Sequence, residues 1–363
     1  MSLTQGSMSD TIQSDRALLE VPRKSLPVLD VGPALAGDHD AIETLADEWR
    51  KVWEGVGFLC IVNHGVPSDS IRRMTAEAKR FHDLPRDVKN TIPVTRDQKG
   101  YIPSRRGVTT HSEFHKSRRL DTVEALVVAT DYPESNPNVA SGKQFYVLMP
   151  WLPEEVIPGF RATVEEYMGT ITSLGKQLLL VWARALELDA GFFDDRFRDA
   201  YTYFRIAKYP PAPDLEDGEM DLAGHADTGF MTFLPPADEE GLQVLDTDET
   251  WFWPELPDNS LIVNMGMFLE RWTNGRFRAT PHRVVPPRKN DRYSLACFVN
   301  PSFDAIGECL STCTGPDNPP KFPTQTYWEF FNWYMTNTFT HYGKVKPAKM
   351  TKLPPETLLT NGT

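Results

Sequence analysis

The chain has 363 residues, 40% of them hydrophobic, which is enough to bury a large core, and its length alone allows about two domains. A formal net charge of −12 and a pI near 5.2, without a basic stripe carrying interleaved aromatics, argue against a nucleic-acid partner. No run of about 18 apolar residues and no basic-then-apolar N-terminus is present, and the four cysteines lack paired spacing, so no membrane partner and a reducing cytoplasm are expected.

In chain order, residues 1–25 read as a flexible tail. Ala41 to Glu54 and Ser68 to His82 are amphipathic and flank a short apolar strand, Phe58 to Val62, as an α/β cap region over 26–150 requires. Asn63-His64-Gly65 follows that strand, where Gly65 can supply a backbone angle other residues resist and His64 has a structural reading. A polar stretch after Tyr101 carries Arg105, His111 and His115. Pro153 to Leu188 places Val164, Tyr167, Ile171, Leu174, Leu178 and Trp182 at helical spacing, a long core-packed helical region. From Tyr201 onward the pattern becomes short strands broken by Pro and Gly, as an antiparallel double-sheet jelly roll requires. Thr324 to His341 reads as a closing helix whose aromatics pack on the barrel. The core thus spans 151–345, and 346–363 is a C-terminal tail.

Within the strand-rich part, His225-Ala226-Asp227 puts an imidazole and a carboxylate on one face if extended, and His282 follows far downstream. Two imidazoles and one carboxylate suit a divalent iron and leave coordination positions open, whereas a structural zinc site would need four ligands, usually including Cys. Arg292, Ser294 and Phe298 share a face of the next alternating run, and a guanidinium beside a hydroxyl grips a carboxylate. Alternation likewise puts Tyr203, Arg205 and Tyr209 on one face of Tyr201 to Tyr209. Singly, each of these residues has an ordinary structural explanation; their order, strand-like context and company single them out.

These residues resemble those of the iron(II)- and 2-oxoglutarate-dependent dioxygenases, in the branch that includes isopenicillin N synthase and the flavonoid and gibberellin oxidases. Gly57-Phe58-Leu59-Cys60-Ile61-Val62-Asn63-His64-Gly65-Val66 is similar to the family's GFF-x-x-x-NHG-[IV] stretch, and Phe81-His82-Asp83-Leu84-Pro85 with Lys89 to its FF-x-LP-x-x-x-K. Gly100-Tyr101, Asp121-Thr122-Val123-Glu124, Tyr209-Pro210-Pro211, Gly241-Leu242-Gln243-Val244 and Trp272-Thr273-Asn274-Gly275 continue the match in the family's order, over roughly residues 26 to 345. Two departures stand out: Ala207 replaces the Asn that plant members carry, and Gly266-Met267-Phe268-Leu269-Glu270 replaces GD-x-LE.

The resemblance implies an α+β, mainly β fold: a double-stranded β-helix (jelly roll) with flanking helices and the N-terminal α/β cap. It implies that His225, Asp227 and His282 bind Fe(2+), and that Arg292, Ser294 and Tyr209 bind the cosubstrate 2-oxoglutarate. O2 is then the oxidant, with ascorbate as a supporting reductant, and a small-molecule substrate is hydroxylated, desaturated or cyclised with release of succinate and CO2. The substrate is expected among Tyr203, Phe230, Phe298 and the loop bearing Arg105, His111 and His115. The rival readings are an isopenicillin N synthase-like or aminocyclopropane carboxylate oxidase-like enzyme that does not use 2-oxoglutarate, a non-catalytic jelly-roll binding protein, and a zinc hydrolase. The oligomeric state is left open.

Overall fold

The computed structural model describes residues 20–104, 122–212 and 222–338. In chain order the elements that position the site are β1 (Arg23–Ser25), β2 (Val28–Asp30), α1 (His39–Glu54), β3 (Phe58–Val62), α2 (Ser68–His82), β4 (Gly100–Ile102), β5 (Glu124–Ala129), α3 (Phe160–Gln177) and α4 (Leu179–Ala185). There follow β6 (Tyr201–Tyr209), β7 (Leu222–His225), β8 (Met231–Leu234), β9 (Leu242–Leu245), β10 (Trp251–Glu255), β11 (Leu261–Met265), α5 (Met267–Trp272), β12 (His282–Val284), β13 (Arg292–Asn300) and α6 (Tyr327–Thr338). Eight strands form one sheet in the order β2-β3-β11-β8-β13-β6-β5-β4, and five form the other, β1-β10-β9-β12-β7. This is the double-sheet jelly roll with flanking helices. The N-terminal strands are not a separate layer: β3 pairs with β11 and β5 with β6 in the larger sheet.

Local chemistry sets the element ends. Asp38 accepts hydrogen bonds from the Asp40 and Ala41 N–H groups, so α1 starts two residues before the apolar periodicity does. The expected helix from Pro153 is shorter, because Pro158 has no N–H to donate and Gly159 sits at φ 76°, and α3 begins at Phe160. A break at Leu178 then separates α3 from α4. The closing helix also starts later than expected, since Gln325–Thr326 pairs with Ile306–Gly307 as a two-stranded ribbon; residues 339–341 lie outside the described residues. No helix among the described residues is long and apolar enough to cross a membrane.

The helices are fixed to the barrel by aromatic packing. Trp49 and Trp53 of α1 meet Trp182 of α4 at centroid distances of 5.4 and 5.0 Å, and Trp182 meets Phe230 at 5.4 Å. All four side chains are buried.

A polar cluster ties α2, the short helix Arg86–Lys89, β4 and β5 together. Lys89 Nζ donates to the His82 carbonyl at 2.6 Å and to Glu124 Oε2 at 3.2 Å, the Tyr101 hydroxyl donates to the same carboxylate, and His82 Nδ1 lies 3.4 Å from its other oxygen. Burial alone would raise the Glu124 carboxyl, but contacts from His82 and Tyr101 and the charge of Lys89 outweigh it and hold it at about 2. Residues that look like separate motifs along the chain are one buried knot.

Truncating Trp182 to Ala should lower the free energy of unfolding by about 3–5 kcal/mol, read by denaturant titration, because its cavity opens at the junction of two helices and the barrel. Because the folded value of Glu124 lies below its ordinary 4.5, its contribution to stability is present above that pH and is lost as pH falls toward about 2. Glu124→Gln should flatten the stability profile in that window and cost about 3 kcal/mol at neutral pH, where it leaves Lys89 buried without a counter-charge.

Candidate active site

Strand pairing brings the two histidines together. β7 ends at His225, β12 starts at His282, and the antiparallel register makes them direct partners, with ring centroids 4.4 Å apart. The chain leaves the strand after His225, and Asp227 follows in the turn that leads to β8. That turn is fixed from outside. Asn300 Oδ1 accepts the Phe230 N–H at 2.9 Å, the Asp227 carbonyl accepts the Met267 N–H at 2.7 Å, and a Cβ at Gly229 would lie 1.8 Å from Asn300 Oδ1.

The two oxygens of Asp227 have different work. Oδ2 accepts from Thr232 Oγ1 at 2.5 Å and from Asn264 Nδ2 at 2.6 Å. Oδ1 is turned toward the imidazoles, 3.5 Å from His282 Nε2 and 3.9 Å from His225 Nε2. Burial would raise the Asp227 carboxyl, yet the neighbouring histidines and Thr232 hold it well below the usual carboxylate range, so it is ionised. His282 Nδ1 donates to the Thr280 carbonyl at 3.2 Å, which leaves its Nε2 lone pair for a metal. Ligand atoms of His225, Asp227 and His282 lie within 4.8 Å of one another, and no other such group occurs among the described residues. The donor set, two imidazole nitrogens and one carboxylate oxygen gathered on one side, fits an iron(II) ion with open positions. Thr232, Asn264 and Thr280 escape a reading of the sequence; for Thr232 and Asn264 the signal is a polar residue inside the otherwise apolar runs of β8 and β11, and Thr280, in the loop before β12, gives none.

One cavity lies on the β12 side of this cluster, lined by Tyr209, His282, Arg292, Ser294, Leu242 and Asp227 among others. Its far end is built by β6 and β13, which pair Tyr209 with Arg292 and Ala207 with Ser294. Arg292 is buried, its Nε donates to the Glu239 carbonyl at 3.1 Å, and its guanidinium lies 5.2 Å from the Tyr209 ring centroid. Gly241 makes room for it, since a Cβ there would lie 2.8 Å from Arg292 Cδ. A fixed guanidinium with a hydroxyl beside it suits the distal carboxylate of a dicarboxylic acid whose other end reaches the metal. Ala207 offers no hydrogen bond where plant relatives carry an amide.

A second cavity opens on the other side, lined by Tyr203, Phe298, Thr228, Tyr327, Phe331 and Met335 among others. Tyr203 and Phe298 are register partners with rings 5.6 Å apart, and Phe331 stands 6.2 Å from Tyr203. His225, Asp227, Arg205 and Phe298 border both cavities, so the metal cluster sits in the wall between them. The aromatics of α6, expected only to pack, do more: Tyr327 and Phe331 both pack and line this cavity.

Phe230 corrects an expectation. It faces away from both cavities into the core, against Trp182, Phe193, Phe197 and Trp272, because the Asn300 bond to its backbone turns the chain before β8 begins. His64 is structural: its Nδ1 accepts the Val66 N–H at 3.1 Å and its Nε2 donates to the Asn259 carbonyl at 3.1 Å, in a turn with Asn63 at φ 54° and Gly65 at φ 74°. Arg105, His111 and His115 lie outside the described residues.

Residues 200–301 match the 2OG-Fe(II) oxygenase superfamily model, and residues 26–154 match the model described as non-haem dioxygenase in morphine synthesis N-terminal. The chain is 31% identical over 276 residues to kihadalactone A synthase of Citrus sinensis, a match spanning 74% of this chain and 80% of that one. A putative 2OG-Fe(II) oxygenase family protein from Caulobacter crescentus shares the fold with a TM-score of 0.74 at 26% identity, over 85% of this chain and 98% of the other. A full-length Neurospora crassa protein crystallised with alpha-KG and thymine has a TM-score of 0.74 at 22% identity, over 86% and 96% of the two chains, a likeness of fold. The chain belongs to the 2OG-Fe(II) oxygenase superfamily, in its isopenicillin N synthase-like branch, and is an iron(II)- and 2-oxoglutarate-dependent dioxygenase.

Proposed function

We propose that His225 Nε2, Asp227 Oδ1 and His282 Nε2 hold the iron, that Arg292, Ser294 and Tyr209 hold the distal carboxylate of 2-oxoglutarate, and that a small organic substrate occupies the cavity walled by Tyr203 and Phe298. The observation that carries this reading is the position of the triad between two cavities, one ending in a buried guanidinium and hydroxyl, the other lined by aromatics. Iron(II) with 2-oxoglutarate and dioxygen supplies an oxidant able to act on an unactivated C–H bond, with release of succinate and carbon dioxide.

The protein's part is to bind, orient and shield. Thr232 and Asn264 tie up one oxygen of Asp227, so the other has a fixed direction. The Thr280 carbonyl fixes the His282 tautomer. Arg292, steadied by the Glu239 carbonyl and near the Tyr209 ring, offers a bidentate donor to the cavity it lines. Tyr203, Phe298 and Phe331 exclude water from the side where substrate is oxidised. Residues 26–150 serve as the N-terminal cap region and 151–345 as the helix and jelly-roll core, between tails 1–25 and 346–363. The enzyme works in the cytoplasm, with ascorbate as a supporting reductant.

Given iron(II), 2-oxoglutarate and oxygen, the protein should form succinate slowly without substrate; His225→Ala should abolish this, and Arg292→Ala should raise the KM for 2-oxoglutarate roughly 100-fold. Absence of succinate from iron-loaded wild type would favour an oxidase that does not use 2-oxoglutarate. Asn264→Ala should weaken iron binding by about 10–100-fold, measured by competition with a chelator, and should lower the melting temperature of the metal-free protein, because Asp227 Oδ2 loses one of its two buried donors.

A further inference from the structure

We infer that the substrate of this enzyme is a monocarboxylic acid with an apolar, ring-sized body, and that Arg205 is the specificity-determining residue that receives its carboxylate. The inference rests on the placement of 2-oxoglutarate and substrate proposed above and adds the chemical class of the substrate.

Arg205 lies on the inward face of β6, opposite Ala296 of β13 and Val127 of β5, and borders both cavities. It is half-buried, and its Nε is buried without a hydrogen-bond partner among the described residues. No carboxylate among them forms an ion pair with its guanidinium, unlike Lys89 or Lys99, whose buried charges are met by Glu124 and Asp131. Arg271 and Arg283 also have nitrogens without partners, but they lie over the rings of Phe330 and Trp251 and line neither cavity. A half-buried guanidinium with one donor shut off from water and no ion-pair partner is stabilised when an anion reaches it.

That anion is not 2-oxoglutarate. Arg292 and Tyr209 face each other at one end of the β6–β13 ladder, and Arg205 is four residues along β6 from Tyr209, about 13 Å at strand spacing. A five-carbon diacid held by Arg292 and directed at His225, Asp227 and His282 would have its second carboxylate at the metal site, away from Arg205. The cavity that Arg205 borders on this side is also lined by the rings of Tyr203, Phe298 and Phe331, which offer flat apolar walls. Arg205 is the only Lys or Arg lining this cavity among the described residues, which fits one carboxylate and falls short of the several donors a phosphate requires. The carboxylate would sit on Arg205 with the ring body against Tyr203 and Phe298, and the C–H bonds beyond it would face the triad.

The test uses the full chain loaded anaerobically with iron(II) and 2-oxoglutarate, titrated calorimetrically with 3-phenylpropanoate and with neutral 3-phenylpropanamide. The acid should bind at least tenfold more tightly than the amide. Arg205→Gln should remove that preference and Arg205→Lys keep part of it, with 2-oxoglutarate affinity and melting temperature unchanged. Equal binding of acid and amide by wild type, no binding of the acid at millimolar concentration, or an unchanged preference in Arg205→Gln would overturn the proposal. Lost 2-oxoglutarate affinity in Arg205→Gln would also overturn it, by assigning the residue to the cosubstrate. Failure of the underlying reading shows separately, as wild type that takes up no 2-oxoglutarate before any acid is added.

Discussion

A carboxylate buried as deeply as Asp227 is tolerated only if its charge is met on every side, and much of the architecture serves that end. Thr232 and Asn264 come from adjacent strands of the larger sheet and hold one oxygen; His225 and His282 come from adjacent strands of the smaller sheet and face the other. The carboxylate therefore stands where the two sheets meet and is hydrogen-bonded or charge-paired to both. The turn that presents it is fixed by Asn300 at the end of β13 and by the Met267 N–H at the start of α5. Replacing any of these side chains would leave a buried polar group short of a partner.

The same logic of rows along paired strands orders the rest of the interior. On β6 and β13, residues two apart point inward, giving in succession Tyr209 with Arg292, Ala207 with Ser294, Arg205 with Ala296 and Tyr203 with Phe298. Polar rows lie at one end and aromatic rows at the other, with the metal ligands beside the middle. The barrel interior is thus graded along one direction, from a buried guanidinium and hydroxyl at one end to an aromatic lining at the other.

Much of this is legible in the residue pattern, and the parts that are not have physical reasons. Phe58–Val62, Ser68–His82 and Tyr201–Tyr209 are found at the expected bounds because apolar runs and clear periodicity leave little choice. His225 and Asp227 point toward one another as alternation suggests, although the strand stops at His225 and a fixed turn completes the geometry. Phe230 defeats the pattern because alternation does not survive that turn, where a side-chain bond from Asn300 resets the facing. Thr232 and Asn264 go unnoticed because a single polar residue in a strand is uninformative until its partner is known. His82, Lys89, Tyr101 and Glu124 are recognisable as separate motifs, but their convergence depends on packing between elements distant in the chain.

The helix Tyr327–Thr338 closes the second cavity with Tyr327, Phe331 and Met335; its first two N–H groups donate to the Ala305 and Phe303 carbonyls, and it is part of neither sheet. This wall of the second cavity is therefore supported differently from the strands that carry His225 and His282. Side chains along one helical stripe can be exchanged during divergence without shifting strand register or the ligand geometry. A lineage carrying this arrangement can change what it oxidises while keeping how it oxidises, and selectivity becomes an inheritable trait separable from the reaction itself.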